Sequence, residues 1–194
     1  IYDRYPFGLQ AGSMDRNGFY ANLRSVHDVA LKNDVRTGTY IQTVRQSVAF
    51  RRPTASEIRY EMYSALAFGF KQLSFFTWFT PVNRNEPFED GIIGSNGVPN
   101  AHYEDIKTIN REILTIGPIL AKCDALEVYL NGTTWGQPGI PKDFFVQPGG
   151  KNQKYTVSFL RHKETGRNYL MLVNNNFGKR ATVNLKLDPS ITAL

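Results

Sequence analysis

Three segments decide the reading of the fold: Gly38-Thr-Tyr-Ile-Gln-Thr-Val44, Arg52-Pro-Thr-Ala-Ser-Glu-Ile-Arg59 and Leu73-Ser-Phe-Phe-Thr-Trp-Phe-Thr-Pro81. The first and third are apolar in the middle and end in polar or aromatic residues, as buried strands do. The second opens a helix: in Thr54-Ala-Ser-Glu57 the threonine hydroxyl can accept from the amide three residues on, while Glu57 reaches back. Strand, loop, helix and strand form a βαβ unit, which sets the C-terminal ends of its parallel strands side by side. Ligands bind at that edge in open α/β sheets and in barrels. Gln42, Thr43, Trp78 and Thr80 are therefore candidate ligand contacts.

Ahead of this unit, residues 1–7 read as a short strand that Pro6 stops, because proline cannot donate to a ladder. Asn17 can cap a helix whose apolar face is Phe19, Leu23, Val26 and Ala30. The second and third strands are predicted at 39–45 and 72–79. Between them lies a helix burying Ile58, Met62, Ala65, Leu66 and Gly69. Residues 80–100 form a long loop of the kind that serves as a lid or a binding loop. A third helix starts near Pro99, presents Ile106, Ile109, Ile113, Ile116 and Leu120, and is expected to kink or end at Pro118. Beyond Cys123 the pattern turns all-β. Strands are predicted at 125–130, 154–161, 168–174 and 180–187, with a hairpin turn at Glu164-Thr-Gly-Arg167.

The chain of 194 residues is 41% hydrophobic and 13% aromatic, enough for a buried core. No apolar run approaches the ~18–20 residues of a membrane span, and no membrane partner is expected. The chain begins Ile1-Tyr-Asp3 without a leader, so Ile1 reads as an internal position. The single cysteine, Cys123, excludes an internal disulfide and a thiolate metal cluster. His27, His102 and His162 suit no metal motif, and neither a metal nor a cofactor is expected. Residues 1–149 hold 15 basic and 15 acidic side chains, whereas residues 150–194 hold 8 and 2, so the whole +6 excess sits in the β tail. Such a tail can bind polyanions. With its charges interspersed along strands and no RNP-like motif, it reads more simply as a solvated β surface, and nucleic acid is not expected as a partner.

Asp3-Arg-Tyr-Pro-Phe7, Tyr40-Ile-Gln-Thr43, Arg52-Pro-Thr-x-x-Glu-Ile-Arg59, Ala65-Leu-Ala-Phe-Gly69 and Phe75-Phe-Thr-Trp78 together resemble the C-terminal part of glycoside hydrolase (β/α)8 barrels. The likeness is to the β-galactosidase-like barrels of glycoside hydrolase family 42 and its relatives. It implies an α/β fold in which residues 1–123 are the C-terminal half of a TIM barrel, strands six to eight. Residues 124–194 are then a sandwich-like β domain that continues further. It further implies a glycoside hydrolase fragment, with an oligo- or polysaccharide or other glycoside as ligand and the missing N-terminal barrel half as partner. A secreted or periplasmic location is favoured over a cytoplasmic one. The alternatives are a non-catalytic carbohydrate-binding descendant of such a barrel and a polyanion-binding module using the basic tail.

Glycosidases flank the scissile bond with two carboxyl groups. The resemblance implies a nucleophile at the end of strand seven, where this chain has Gln42, which cannot ionise. Gln42 either hydrogen-bonds sugar hydroxyls or is satisfied by backbone. Asp3 is the one carboxylate at a predicted strand end: a catalytic or sugar-binding group, or else a salt-bridge partner of Arg4 or Arg52, with Tyr2 beside it. Trp78 offers a stacking face and an N–H to a sugar, or packs between strand and helix. Glu86, Glu89 and Asp90 either approach the substrate, with Glu89 the candidate contact, or are solvated; Glu57 and Glu61 read as capping acids at a helix start.

Overall fold

A computed structural model describes residues 2–82 and 85–191, so Ile1 lies outside it. The described chain is mixed α/β. It holds four small sheets and three long helices, and no sheet among the described residues closes into a barrel. The barrel expectation is thus met only at the coarser level. The strands β1 (Tyr2–Asp3), β2 (Gly38–Gln42) and β4 (Gln72–Phe76) form a parallel sheet in the order β1-β2-β4. The predicted strand at 1–7 is two residues long in the described chain, and that at 39–45 stops at Gln42. There Arg45–Gln46 (β3) peels away to pair antiparallel with Phe88–Glu89 (β5).

Helix α1 (Arg16–Asn33) is capped by Asp15, whose carboxylate accepts from the Gly18 amide at 2.9 Å. Asn17, expected as the cap, lies inside the first turn. Helix α2 (Ala55–Ala67) begins with the expected capping box: Thr54 Oγ1 accepts from the Glu57 amide at 3.3 Å, and Glu57 accepts from the Thr54 amide at 2.8 Å. Ile58 and Met62 face Ile41 of β2, whereas Tyr60 and Ala65 face the opposite way into a second cluster. The helix is buried on nearly all sides because a sheet lies against each of two faces. At its end Gly69 has φ +83°, and a Cβ there would come within 3.2 Å of the Ala125 methyl, so this close approach requires glycine. Helix α3 (Tyr103–Leu120) buries Ile106, Ile109 and Leu120 and continues two residues past Pro118.

The remaining chain is antiparallel. Strands β6 (Cys123–Asn131), β8 (Tyr155–His162) and β9 (Asn168–Asn174) pair in the order β6-β8-β9, with a bulge between Ala125 and Glu127. The hairpin turn after His162 is where it was predicted; Gly166 closes it with φ +69°. The strand β7 (Val146–Pro148) pairs with β10 (Leu185–Leu187), which is shorter than the predicted 180–187. Asn174 is one reason: its amide donates to the carbonyls of Asn176 and Lys179 and folds the following residues into a loop.

One face of the β6-β8-β9 sheet meets the β7-β10 pair across Val146, Tyr155 and Val157. The other packs on the helices through Val128, Leu130, Leu160 and Val173 in one cluster with Phe19, Leu23 and Phe68. Two polar links span the same junction. Tyr20 Oη lies 2.6 Å from Tyr60 Oη and donates to Asn175 Oδ1 at 3.0 Å, and the half-buried Lys71 Nζ donates to the carbonyl of Cys123, the first residue of β6. The α/β part and the antiparallel part therefore share a continuous core.

Candidate functional site

Strand register sorts the parallel sheet into two faces. Ile41 pairs with Phe75 and points to the helices. Asp3, Tyr40 and Ser74 lie in one row, and Gln42 and Phe76 in the next. Around the second row gathers an aromatic group: Tyr5 stacks on Phe76 with centroids 4.9 Å apart, and Phe50, Tyr40 and Phe88 complete it. All five rings are half-buried. In the sequence Tyr5, Tyr40 and Phe76 stand only inside longer motifs, none of them as a candidate contact. The signal for the group was the strand period of two, which places Tyr40 and Phe76 on the face of Asp3.

Gln42 is fully buried and its side chain is spent on backbone. Its Oε1 accepts from the Phe7 amide at 3.0 Å, and its Nε2 donates to the Phe7 carbonyl at 3.2 Å and the Arg51 carbonyl at 2.9 Å. Both amide hydrogens are used, and none remains for a sugar hydroxyl. The Gln42 main-chain N–H donates to the carboxyl of Glu61 at 3.2 Å, because β1 no longer pairs with β2 at this level. Glu61 is therefore no capping acid but a fully buried carboxyl; burial pushes its pKa well above the usual range, and the Gln42 N–H opposes this only in part.

The other expected contacts separate into two kinds. Thr43 is buried, its amide donating to the Phe76 carbonyl at 2.9 Å and its hydroxyl to the Thr77 carbonyl at 3.2 Å. Thr80 is buried as well: its hydroxyl donates to the Ile93 carbonyl and accepts from the Gly91 amide, both at 2.9 Å. Together with the Ile93 N–H to Trp78 carbonyl bond, this stitches the long loop onto the end of β4. Tyr2 turns to the helix side, against Phe70, and its hydroxyl has no partner among the described residues. Glu89 is held by Arg45 at 3.1 Å and Asp90 by Arg52 at 3.7 Å. Asp3 is exposed and makes no ion pair among the described residues: Arg4 pairs with Asp15 instead. It lies one row short of the sheet's C-terminal edge.

Trp78 stands apart. It comes directly after β4, beyond a cis Phe76–Thr77 peptide, and is 53% exposed, with one edge-on contact to Tyr103. Beside it, Phe79 and Val82 are also exposed. Two orphaned polar groups belong to the same edge: the Thr77 hydroxyl, and both ring nitrogens of His102, have no hydrogen-bond partner among the described residues. Burial first, then the positive charge of Arg52, lower the His102 pKa; Asp90 and the Thr43 main chain pull the other way without winning. This direction favours the neutral imidazole of His102.

An open indole and two arginine-paired acids, Glu89 and Asp90, lie around this edge, and the exposed Asp3 lies one row below it on the far strand. That set can stack on and hydrogen-bond a polar ligand. The described residues offer no three-ligand cluster for a metal ion. No protein-family model and no curated protein matches the chain.

Proposed function

We propose that this chain is the sugar-binding C-terminal part of a glycoside-hydrolase-type (β/α)8 protein, with carbohydrate laid against Trp78 at the C-terminal edge of the parallel sheet. The exposed indole at the end of β4 carries the reading: it offers an apolar face to the C–H side of a pyranose and an N–H to a hydroxyl. The strand order supports it. Successive parallel strands are neighbours, as in a barrel, with α1 and α2 as the intervening helices. Among the described residues the rings of Tyr5, Tyr40 and Phe76 meet those of Phe50 and Phe88 and of no helix, as expected of the inward face of a barrel. In this reading the N-terminal half of the barrel is the partner that covers it and supplies the acid.

The amide at position 42 favours a second reading, a non-catalytic carbohydrate-binding relative of such a barrel. Asp3 lies one row short of the described edge, Glu89 and Asp90 are paired with arginines and Glu61 is fully buried, whereas hydrolysis needs two carboxyl groups flanking the scissile bond. On either reading this chain alone does not turn over aryl glycosides. Titration with neutral galacto- and gluco-oligosaccharides tests the site. Trp78→Ala is expected to weaken binding by ~1–3 kcal/mol, the scale of a lost aromatic contact in a binding site. Unchanged affinity in a folded variant overturns the assignment.

A further inference from the structure

We propose a second binding site: a basic groove in the antiparallel part that takes an anionic polysaccharide. Two cavities adjoin there, sharing Asn174 and Asn176 in their walls. The first, of about 500 Å³, lies between α2 and the end of β9 and is lined by Arg59, Lys179 and Arg180. The second, of about 560 Å³, lies between residues 150–154 and 181–184 and is lined by Lys151 and Lys154. No carboxylate lines either one. Arg59 is neutralised by a two-pronged bond to Glu112 at 2.9 Å. Lys151, Lys154, Lys179 and Arg180 are exposed and have no acidic partner among the described residues. The basic excess of the tail is therefore gathered around this concavity in four of its eight cations.

The groove is built. The Gly149 amide donates to the Asn184 carbonyl at 2.7 Å, tying the two walls together, and the Asn175 amide donates to the Lys154 carbonyl at 3.0 Å, fixing one wall to the end of β9. Between the cations stand Asn152, Asn184 and Thr182, groups suited to sugar hydroxyls. A glycan is favoured over nucleic acid because single-stranded nucleic acid needs open aromatic platforms. The Phe177 ring is already packed against Tyr60 and Phe7 and under the Arg16 guanidinium. The lining shares no residue with the Trp78 edge, so the two sites stand or fall separately.

The test is a fluorescence titration of the full chain with heparin oligosaccharides, with polygalacturonate oligomers, and with a single-stranded oligonucleotide. At least one glycan is expected to bind, and to bind more tightly than the oligonucleotide. Its affinity should fall on the order of tenfold or more between about 50 and 200 mM salt, the response of several charge contacts. The double variant Lys179→Glu/Arg180→Glu should lose roughly tenfold or more in affinity, equivalent to ~1.4 kcal/mol. Arg161→Glu/Arg167→Glu, the same charge change at the opposite end of β8 and β9, should keep most of it, and both variants should retain the parent circular dichroism. Absence of glycan binding, tighter binding of the oligonucleotide, or equal loss in the two double variants overturns the proposal. If Lys179→Glu/Arg180→Glu does not fold, Lys151→Gln/Lys154→Gln replaces it with the same expected loss.

Discussion

The ends of β2 and β4 are neighbours in one sheet, and both close on a polar or aromatic residue, yet they have opposite fates. At the end of β2, Gln42 is buried and its amide braces the Phe7 and Arg51 main chain. At the end of β4, Trp78 is 53% exposed and bonded to the fold through its carbonyl alone. The difference lies in the segment that each strand leads into. After β2 the chain folds back over the edge, and Arg51 both accepts from Gln42 and grips Glu57 with two bonds of 2.6 and 2.8 Å. After β4 the loop is stitched to the Trp78 and Thr80 backbone, which leaves the indole outside. One strand end holds the sheet together, and the other leaves an indole open to solvent, where we propose that a sugar binds.

That contrast is most exposed to test at Gln42. Gln42→Leu keeps the side-chain bulk and strands the Phe7 N–H, the Phe7 carbonyl and the Arg51 carbonyl; urea denaturation should show a loss of about 3 kcal/mol. Gln42→Glu places a carboxylate where the barrel resemblance implies one. Its second oxygen would face the two carbonyls that the amide now bonds, so it should destabilise by a similar amount at neutral pH and less at acidic pH. A Gln42→Glu variant as stable as the parent would show that this end is not a brace.

Glu57→Gln should cost about 2 kcal/mol at neutral pH, because the charge-assisted bonds to Arg51 are lost. Burial raises the Glu57 pKa, but bonds from Arg51 and Thr54 outweigh it and leave the net shift downward. A lowered carboxyl pKa stabilises above the unfolded value of about 4.3 and ceases to do so as pH falls through the folded value. The cost of Glu57→Gln should therefore shrink in acid, and an unchanged cost across the pH series would sink the assignment. Glu61 has the opposite sign. Its raised pKa favours the fold fully below about pH 4.3, and that contribution is lost as pH rises through the folded value. Glu61→Gln should remove this decline while leaving the acid loss due to Glu57. The smallest effect is expected at the open end: Trp78→Ala should change stability by no more than about 0.5 kcal/mol, the range of surface substitutions. A loss as large as that of Gln42→Leu would make Trp78 a packing residue.

Much of the architecture was legible locally. The capping box of Thr54 and Glu57, the period of Ile106, Ile109 and Leu120, and the turn at Glu164–Arg167 depend on residues close in sequence, and each formed where the pattern put it. Boundaries failed where a distant partner intervened. Strand β2 ended early because β3 turned to meet β5, and β10 shortened because Asn174 gathered the residues after it. The open Trp78 was legible as a candidate. The closure of Gln42 was not, since its amide is taken by Phe7, 35 residues away.

The order of strands and helices, the turn to an antiparallel pattern after Cys123 and the uneven charge were all written in the sequence, because they depend on period, capping and composition over short spans. Only the folded chain shows which polar groups at the sheet edge are free, that Glu61 is a buried carboxyl, and that Lys151, Lys154, Lys179 and Arg180 ring one groove. A polar group's availability depends on whether some other segment satisfies it. That is settled only when segments far apart in the chain are brought within hydrogen-bonding distance.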